Sequence, residues 1–239
     1  MTLIFDDESH LRVATLDLAD AYLQRHEEHR IAVRKQSFAA NPKLVAAQRN
    51  LLCAIIALKQ RVEGVRYEHK DGRMHLIAQS IQGVDLAFIA IVDGLYAQAA
   101  ALQKQQLEAI AALGEYTAGT RKDGKTPNIR NTGQRGFGRM YGELNDIAHP
   151  SNDHILESLC HFEEEGKQGP TTKPKFVEEY CRYFLSNHCL QMLNLWRHMS
   201  YVYRDEFELP FPNEDDQNIR SAMISLMELG YLGYDGGGN

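Results

Sequence analysis

Apolar side chains recur every three or four residues through the middle of this chain, and that spacing restricts the region to helical structure. Steps of 3, 4, 3, 4 and 3 residues place one set on a single helix face: Met74, Ile77, Ile81, Val84, Phe88 and Ile91. A second apolar run follows Asp93-Gly94, and a third extends from Cys181 to Tyr203. The Asp-Gly break predicts a hairpin of two antiparallel helices, and the third run predicts a helix of about 30 residues.

The rest of the sequence favours the same fold class. Residues 8–39 are typical of a charged amphipathic helix, and Pro42 separates them from a predicted helix over residues 43–62. Another short helix is predicted over residues 215–229, and runs that alternate apolar and polar residues are scarce. We therefore predict an all-α fold, an antiparallel helical bundle of about five to seven helices.

The predicted domain organisation is simple. Residues 1–205 form the bundle domain, in which about the first 62 residues are a helical extension. Residues 206–239 form a short helical appendage that ends in a disordered Gly-rich tail.

Composition and motifs exclude several classes of protein. The net charge is −6, so contact with a nucleic acid requires a local basic patch. No membrane span is expected because no apolar run approaches ~18 residues, and Asp6, Asp7 and Glu8 do not fit a leader peptide, so we expect a cytoplasmic protein. No cofactor is expected, since the Gly-rich dinucleotide, P-loop and G-x-S-x-G motifs are absent.

Residues 117–139, which we call the basic segment, are the electrostatic anomaly of the chain. They carry one acid, Asp123, and six cations: Arg121, Lys122, Lys125, Arg130, Arg135 and Arg139. One interpretation is a segment that binds the phosphates of RNA or a nucleotide. The other is a solvated, mobile connector between helices.

The sequence that follows presents a candidate acid–base residue. In a helix, Tyr141, Asn145 and His149 lie on adjacent turns of one face, and Asn145 and His149 are four residues apart. Pro150 disfavours helical geometry at His149, which therefore falls at the helix C-terminus. A histidine there is suited to general acid–base chemistry, or it serves only as a cap that hydrogen-bonds a nearby carbonyl.

A metal site is a further alternative. His154, Glu157 and His161 share one face if the segment is helical. The Glu-x-x-His pairs of di-iron bundles and the His-Glu-x-x-His motif are both absent, so we expect a solvated face and no metal.

Two short segments resemble a bacterial family of unknown function whose all-helical members carry Tyr-x-x-Leu-Ser-x-x-x-His-Pro-Ser. Here that pattern occupies residues 141–151, with Asn145 in place of the serine. Residues 93–108 are similar to the family's other segment, with Lys104 where an arginine is usual. In layout the similarity covers about residues 74–200.

That family in turn resembles the HEPN superfamily, helical bundles found in toxins, phage-defence systems and RNA-processing proteins. Its catalytic members are metal-independent ribonucleases whose motif has an arginine and a histidine with four to six residues between them. In this sequence the corresponding positions, 142–144, hold no arginine, and the nearest is Arg139. The resemblance implies a homodimer that acts on RNA or a nucleotide, together with a protein partner in a defence or toxin-like system.

These observations combine into two functional hypotheses. In the first, His149 is the acid–base residue, Asn145 orients it or the phosphate, and Arg139 neutralises phosphate charge. Five further residues are then expected to bind the substrate: Arg135, Arg130, Lys104, Glu108 and Tyr141. In the second, the protein is a non-catalytic dimeric helical interaction module of the same fold, and the His-Pro-Ser segment is a structural cap.

Overall fold

The computed structural model describes residues 8–65, 72–149, 153–164, 166–209 and 217–233. Within these ranges the chain forms eight α-helices, one short 3₁₀ helix at Ile129–Thr132 and one β-hairpin. The α-helices are α1 (Glu8–Ala40), α2 (Pro42–Gln60), α3 (Arg73–Val92), α4 (Tyr96–Thr117), α5 (Phe137–Ala148), α6 (Asp153–Cys160), α7 (Glu178–Phe207) and α8 (Gln217–Glu228). The all-α prediction is confirmed at the level of class.

Helix positions agree with the apolar spacing of the sequence. The long third run is α7, a helix of 30 residues, and the break at Asp93-Gly94 separates α3 from α4, which pack against each other. Gly94 has a φ of +77°, and a Cβ there would lie 2.4 Å from the carbonyl oxygen of Lys175, so only glycine fits this turn.

The buried face of α3 is offset slightly from the predicted apolar stripe. Ile77, Val84 and Ile91 are buried as expected, but the small residues Ser80 and Ala87 complete the buried face. Ile81 and Phe88 lie at its margin and are partly exposed. Small side chains are favoured here because they allow neighbouring helices to approach closely.

The core lies between α7 and three other helices. α7 packs against α2, α3 and α4, and its fully buried residues include Phe184, Leu185 and Met192. α8, predicted as an appendage, packs against α2 and adds Ile219 and Leu226 to the same core.

α3 is long and apolar enough, by length and composition, to cross a membrane, although Gln82, Gly83 and Asp85 interrupt its apolar run. Core helices of globular proteins meet the same criterion. Ile77, Val84 and Ile91 of this helix lie in the core described above.

One element was not predicted. The strands β1 (His161–Glu164) and β2 (Lys167–Pro170) pair in antiparallel register, although the sequence pattern predicts no strand. Each strand has four residues, which is too short for an alternation of apolar and polar residues to show in the sequence. Pro150 and Ser151 of the His-Pro-Ser segment, and the predicted Gly-rich tail from residue 234, lie outside the described residues.

Candidate nucleic-acid interface

A buried carboxylate holds the basic segment against α4. Glu115 accepts hydrogen bonds from the backbone N–H of Asn128 (2.7 Å), from Asn131 Nδ2 (3.2 Å) and from Arg121 Nη1 (3.1 Å). Arg121 also donates to the carbonyl of Lys125 at 2.9 Å. Burial alone would raise the pKa of Glu115, but the hydrogen bonds from Asn128, Arg121 and Asn131 lower it, so the group is held as an anion.

Two further contacts fix the 3₁₀ helix within the segment. Arg197 of α7 donates to the carbonyl oxygen of buried Thr132 at 3.0 Å. The carbonyl oxygen of Asn131 approaches Gly114 so closely that a Cβ there would lie 1.9 Å away. These contacts fold the segment onto α4 and α7.

Several cations of the anchored segment face solvent. Arg121 is neutralised by Glu115, whereas four others are exposed and have no acidic partner among the described residues: Lys122, Lys125, Arg130 and Arg135. Arg121, Lys122 and Lys125 also line an open groove of about 510 Å³. An exposed cluster of one sign on a protein of net charge −6 is a local attractor for anions.

Three of the predicted substrate-binding residues meet between α4 and α5. The Tyr141 hydroxyl donates to Glu108 Oε1 at 2.7 Å, and Lys104 Nζ lies 5.6 Å from the centre of the Tyr141 ring. Burial, followed by the bond to Glu108, raises the pKa of Tyr141 to about 12. All three side chains are partly buried, and the phenol and the carboxylate are already bonded to each other.

Arg139 points into a different cluster on α5. Its Nε donates to Glu143 Oε1 at 2.7 Å, and Tyr183 donates to the other carboxylate oxygen at 2.7 Å. The bond from Tyr183, followed by the bond from Arg139, lowers the pKa of Glu143. The Arg139 side chain is 87% exposed, so it can contact solvent anions while paired.

His149 stands at the C-terminal end of α5, as predicted. Its backbone is extended (φ −95°, ψ 127°), and its N–H donates to the carbonyl of Asn145 at 3.1 Å. The side chain is exposed and has no hydrogen-bond or ion-pair partner in the described part of the chain. Arg139 lies ten residues earlier on the same helix, about 15 Å along its axis.

The structure thus groups some predicted site residues and separates others. Lys104, Glu108 and Tyr141 form one cluster, but Tyr141 is about 12 Å from His149 along the helix axis. Arg130 and Arg135 belong to the anchored basic segment.

The histidines considered for a metal site do not share a helix. α6 ends at Cys160, and His161 begins β1, so the proposed helical face does not reach it. The described ranges contain no group of three His, Cys, Asp or Glu side chains that could hold a metal ion.

Sequence reasoning missed two arginine sites. Asp93 is fully buried and accepts hydrogen bonds of 2.6 to 2.8 Å from Arg30 and Arg34 of α1. The sequence features that indicate this ion pair are two arginines four residues apart and an aspartate at the end of an apolar helix. Arg197, the other missed residue, lies inside the long apolar run of α7.

Comparison with known proteins identifies no relative. No family model, no curated protein and no solved structure matches the chain.

Proposed function

We propose that this protein binds RNA or a nucleotide through the basic segment. The observation that carries the proposal is the anchoring by Glu115, Thr132 and Gly114, which leaves four cations exposed on a folded surface. Anchored cations bind phosphates at a lower entropic cost than cations on an unfolded connector. Arg139 extends the same charge onto the first turn of α5.

The test is the salt dependence of binding to single-stranded RNA. Replacing Lys122, Lys125 and Arg130 with glutamine removes three phosphate contacts, which should reduce the slope of log affinity against log salt by about 2. A matched control replaces three exposed cations elsewhere: Lys35, Lys43 and Arg182. Equal affinity and slope for the two triple variants would reject the basic segment as the interface.

A second candidate function, a metal-independent ribonuclease, is favoured by the exposed His149 ring at the C-terminal end of α5. Asn145 lies one turn earlier, and the HEPN resemblance supplies the reaction class. We expect His149→Ala to abolish cleavage of labelled RNA in the presence of EDTA while the helical circular-dichroism signal is kept. Unchanged cleavage by the variant would exclude this histidine as the catalyst.

The alternative of a non-catalytic dimeric module is favoured by the pairing of Arg139 with Glu143, since this arginine does not accompany His149. Under that alternative, RNA survives incubation with the protein, and size-exclusion chromatography with light scattering gives the mass of a dimer. A role in bacterial defence or a toxin-like system, with a protein partner, is part of the proposal through the HEPN resemblance alone.

A further inference from the structure

A pocket between α7, α8 and Gln134 of the basic segment has the chemistry of a ligand site. Its floor is apolar and is formed by Leu190, Leu193, Trp196, Met223 and Leu232. Three polar side chains, Gln134, Asn194 and Arg197, complete its lining. The cavity volume is about 240 Å³, slightly below the ~300–1,000 Å³ typical of small-ligand sites, and the pocket is open to solvent, so a ligand there is not wholly enclosed.

The guanidinium of Arg197 lacks an anion. Its Nη2 donates to the carbonyl oxygen of Thr132 (3.0 Å) and to Asn194 Oδ1 (3.2 Å), both of which are neutral acceptors. The side chain is partly buried, and no carboxylate in the described residues pairs with it. A partly buried cation that is solvated only by neutral groups is stabilised when an anion approaches it.

The two amides indicate what the rest of the ligand is. Gly133 adopts a left-handed conformation (φ +70°) where the chain turns into Gln134, and Gln134 reaches the pocket from the basic segment. Amide side chains of Asn and Gln match the paired donors and acceptors on the edges of nucleobases, and an indole offers a flat apolar face for stacking. An aliphatic acid would use the apolar floor and Arg197 but would make no use of Gln134 or of the amide NH₂ of Asn194, whose oxygen already accepts from Arg197.

We propose that this pocket binds a nucleoside monophosphate, free or as the end of an RNA strand, with the base on the apolar floor and the phosphate at Arg197. The proposal rests on the proposed function in its substrate class, because Gln134 belongs to the basic segment. It assigns base recognition to α7, α8 and Gln134, whereas the exposed cations of the basic segment contact the backbone.

Trp196 is the single tryptophan of the chain, so its fluorescence reports on this pocket alone. AMP, CMP, GMP and UMP are titrated separately against the full-length protein, with adenosine, inorganic phosphate and decanoate as comparison probes. We expect saturable quenching by at least one monophosphate, and a weaker response to adenosine and to phosphate. Arg197→Gln removes one charge-assisted contact, which should lower the affinity for the monophosphate by about 10–100-fold and leave the affinity for adenosine unchanged.

Arg197 also holds Thr132, so a second variant fills the pocket without touching this contact. Met223→Phe should weaken the binding of both the monophosphate and adenosine. Met227→Phe, at an exposed position on the same helix, should weaken the binding of neither. Tighter binding of decanoate than of any monophosphate, no response to any probe, or no effect of Met223→Phe would each overturn the proposal.

The failure of this proposal and that of the proposed function are distinguishable. The glutamine triple variant at Lys122, Lys125 and Arg130 should keep the monophosphate affinity of the wild type, because those side chains do not line the pocket. If that variant loses RNA binding while Met223→Phe leaves nucleotide binding unchanged, only the proposed function of the basic segment is supported. If that variant keeps RNA binding while Met223→Phe weakens nucleotide binding, only the pocket proposal is supported.

Discussion

Asp93 shows how one buried carboxylate can fix the position of a helix. It ends α3 with no exposed surface, and both its oxygens accept from the guanidinium groups of Arg30 and Arg34. The hydrogen bond and charge of Asp93 raise the pKa of Arg34, against a smaller opposing effect of burial. Ser37 adds a bond to the carbonyl of Val92 at 2.9 Å. These polar contacts attach α1 to the α3–α4 turn, where buried Val33 of α1 also lies beside Gly94.

We predict that Asp93→Asn lowers the free energy of unfolding by about 3 kcal/mol, because it leaves two guanidinium groups facing a neutral amide. The figure is at the low end of values for buried pairs because Arg30 and Arg34 keep 27% and 33% of their side-chain surface exposed. Urea denaturation at neutral pH measures the loss. Asp85→Asn, an exposed position on the same helix, should change stability by less than about 0.5 kcal/mol. Equal effects would mean that the Asp93 pair is energetically neutral.

Two buried histidines predict how stability depends on pH. The pKa values of His188 and His198 are both lowered from 6.5 to about 4, that of His188 by burial and that of His198 by burial and, to a smaller extent, by the nearby Arg197. The unfolded chain therefore binds more protons than the folded one between pH 6.5 and 4, and stability falls as pH falls through that window. We expect each histidine to account for a loss of about 1–2 kcal/mol between pH 7 and pH 5. In His188→Leu the loss measured by urea denaturation should be smaller by that amount, and an unchanged loss would contradict the assignment.

At the scale of elements, a glycine permits the contact between α4 and the basic segment. Asn131 O lies so close to Gly114 that an added methyl group must displace it. We predict that Gly114→Ala costs about 1–3 kcal/mol as a result. Gly83→Ala in α3, where a Cβ meets nothing within 4 Å, should instead stabilise by about 0.5–1 kcal/mol. Thermal unfolding of both variants provides the measurement, and stabilisation by both would refute the close approach.

The elements differ in how far the sequence could predict them. α3, α4 and α7 follow from spacing alone, because a helix face buried over five turns leaves a regular apolar period. The hairpin of β1 and β2 leaves none, since its pairing is local and its strands have four residues each.

The candidate site divides in the same way. The charge of the basic segment and the position of His149 at a helix end are visible in composition and in the Pro150 signal. The anchor at Glu115 is not, because it joins Asn128 from 13 residues away through a backbone N–H, which every residue type except proline supplies. Whether cations surround His149 likewise depends on tertiary packing. Spacing along one helix shows only that Arg139 is too far from His149 to share a site with it.

For the whole molecule, the central question is whether anchoring or charge alone makes the basic segment an interface. The net charge of −6 repels polyanions at long range, so binding depends on how the exposed cations of one segment are presented. The acids Glu115 and Asp123 belong to the same region but differ in role. Glu115 is buried and holds the segment, whereas Asp123 is exposed and adds only negative charge.

We predict that Glu115→Gln and Asp123→Asn change RNA affinity in opposite directions, although both remove one negative charge. Asp123→Asn should bind slightly more tightly, because it removes repulsion. Glu115→Gln should bind about 5–10-fold more weakly, because it breaks the pair with Arg121 and weakens the bonds from Asn128 and Asn131, which raises the entropic cost of ordering the segment.

Fluorescence anisotropy with labelled single-stranded RNA at fixed salt measures both variants. The pKa of Glu115 is lowered, so its stabilising effect is complete above the ordinary carboxyl pKa and is lost as pH falls through the folded value. Near neutral pH, titration of this carboxyl should therefore not change the RNA affinity of the wild type. The weaker RNA binding of Glu115→Gln should persist at that pH. If Glu115→Gln binds RNA more tightly than the wild type, charge alone governs the interface, and the hydrogen bonds that hold the segment serve stability but not binding.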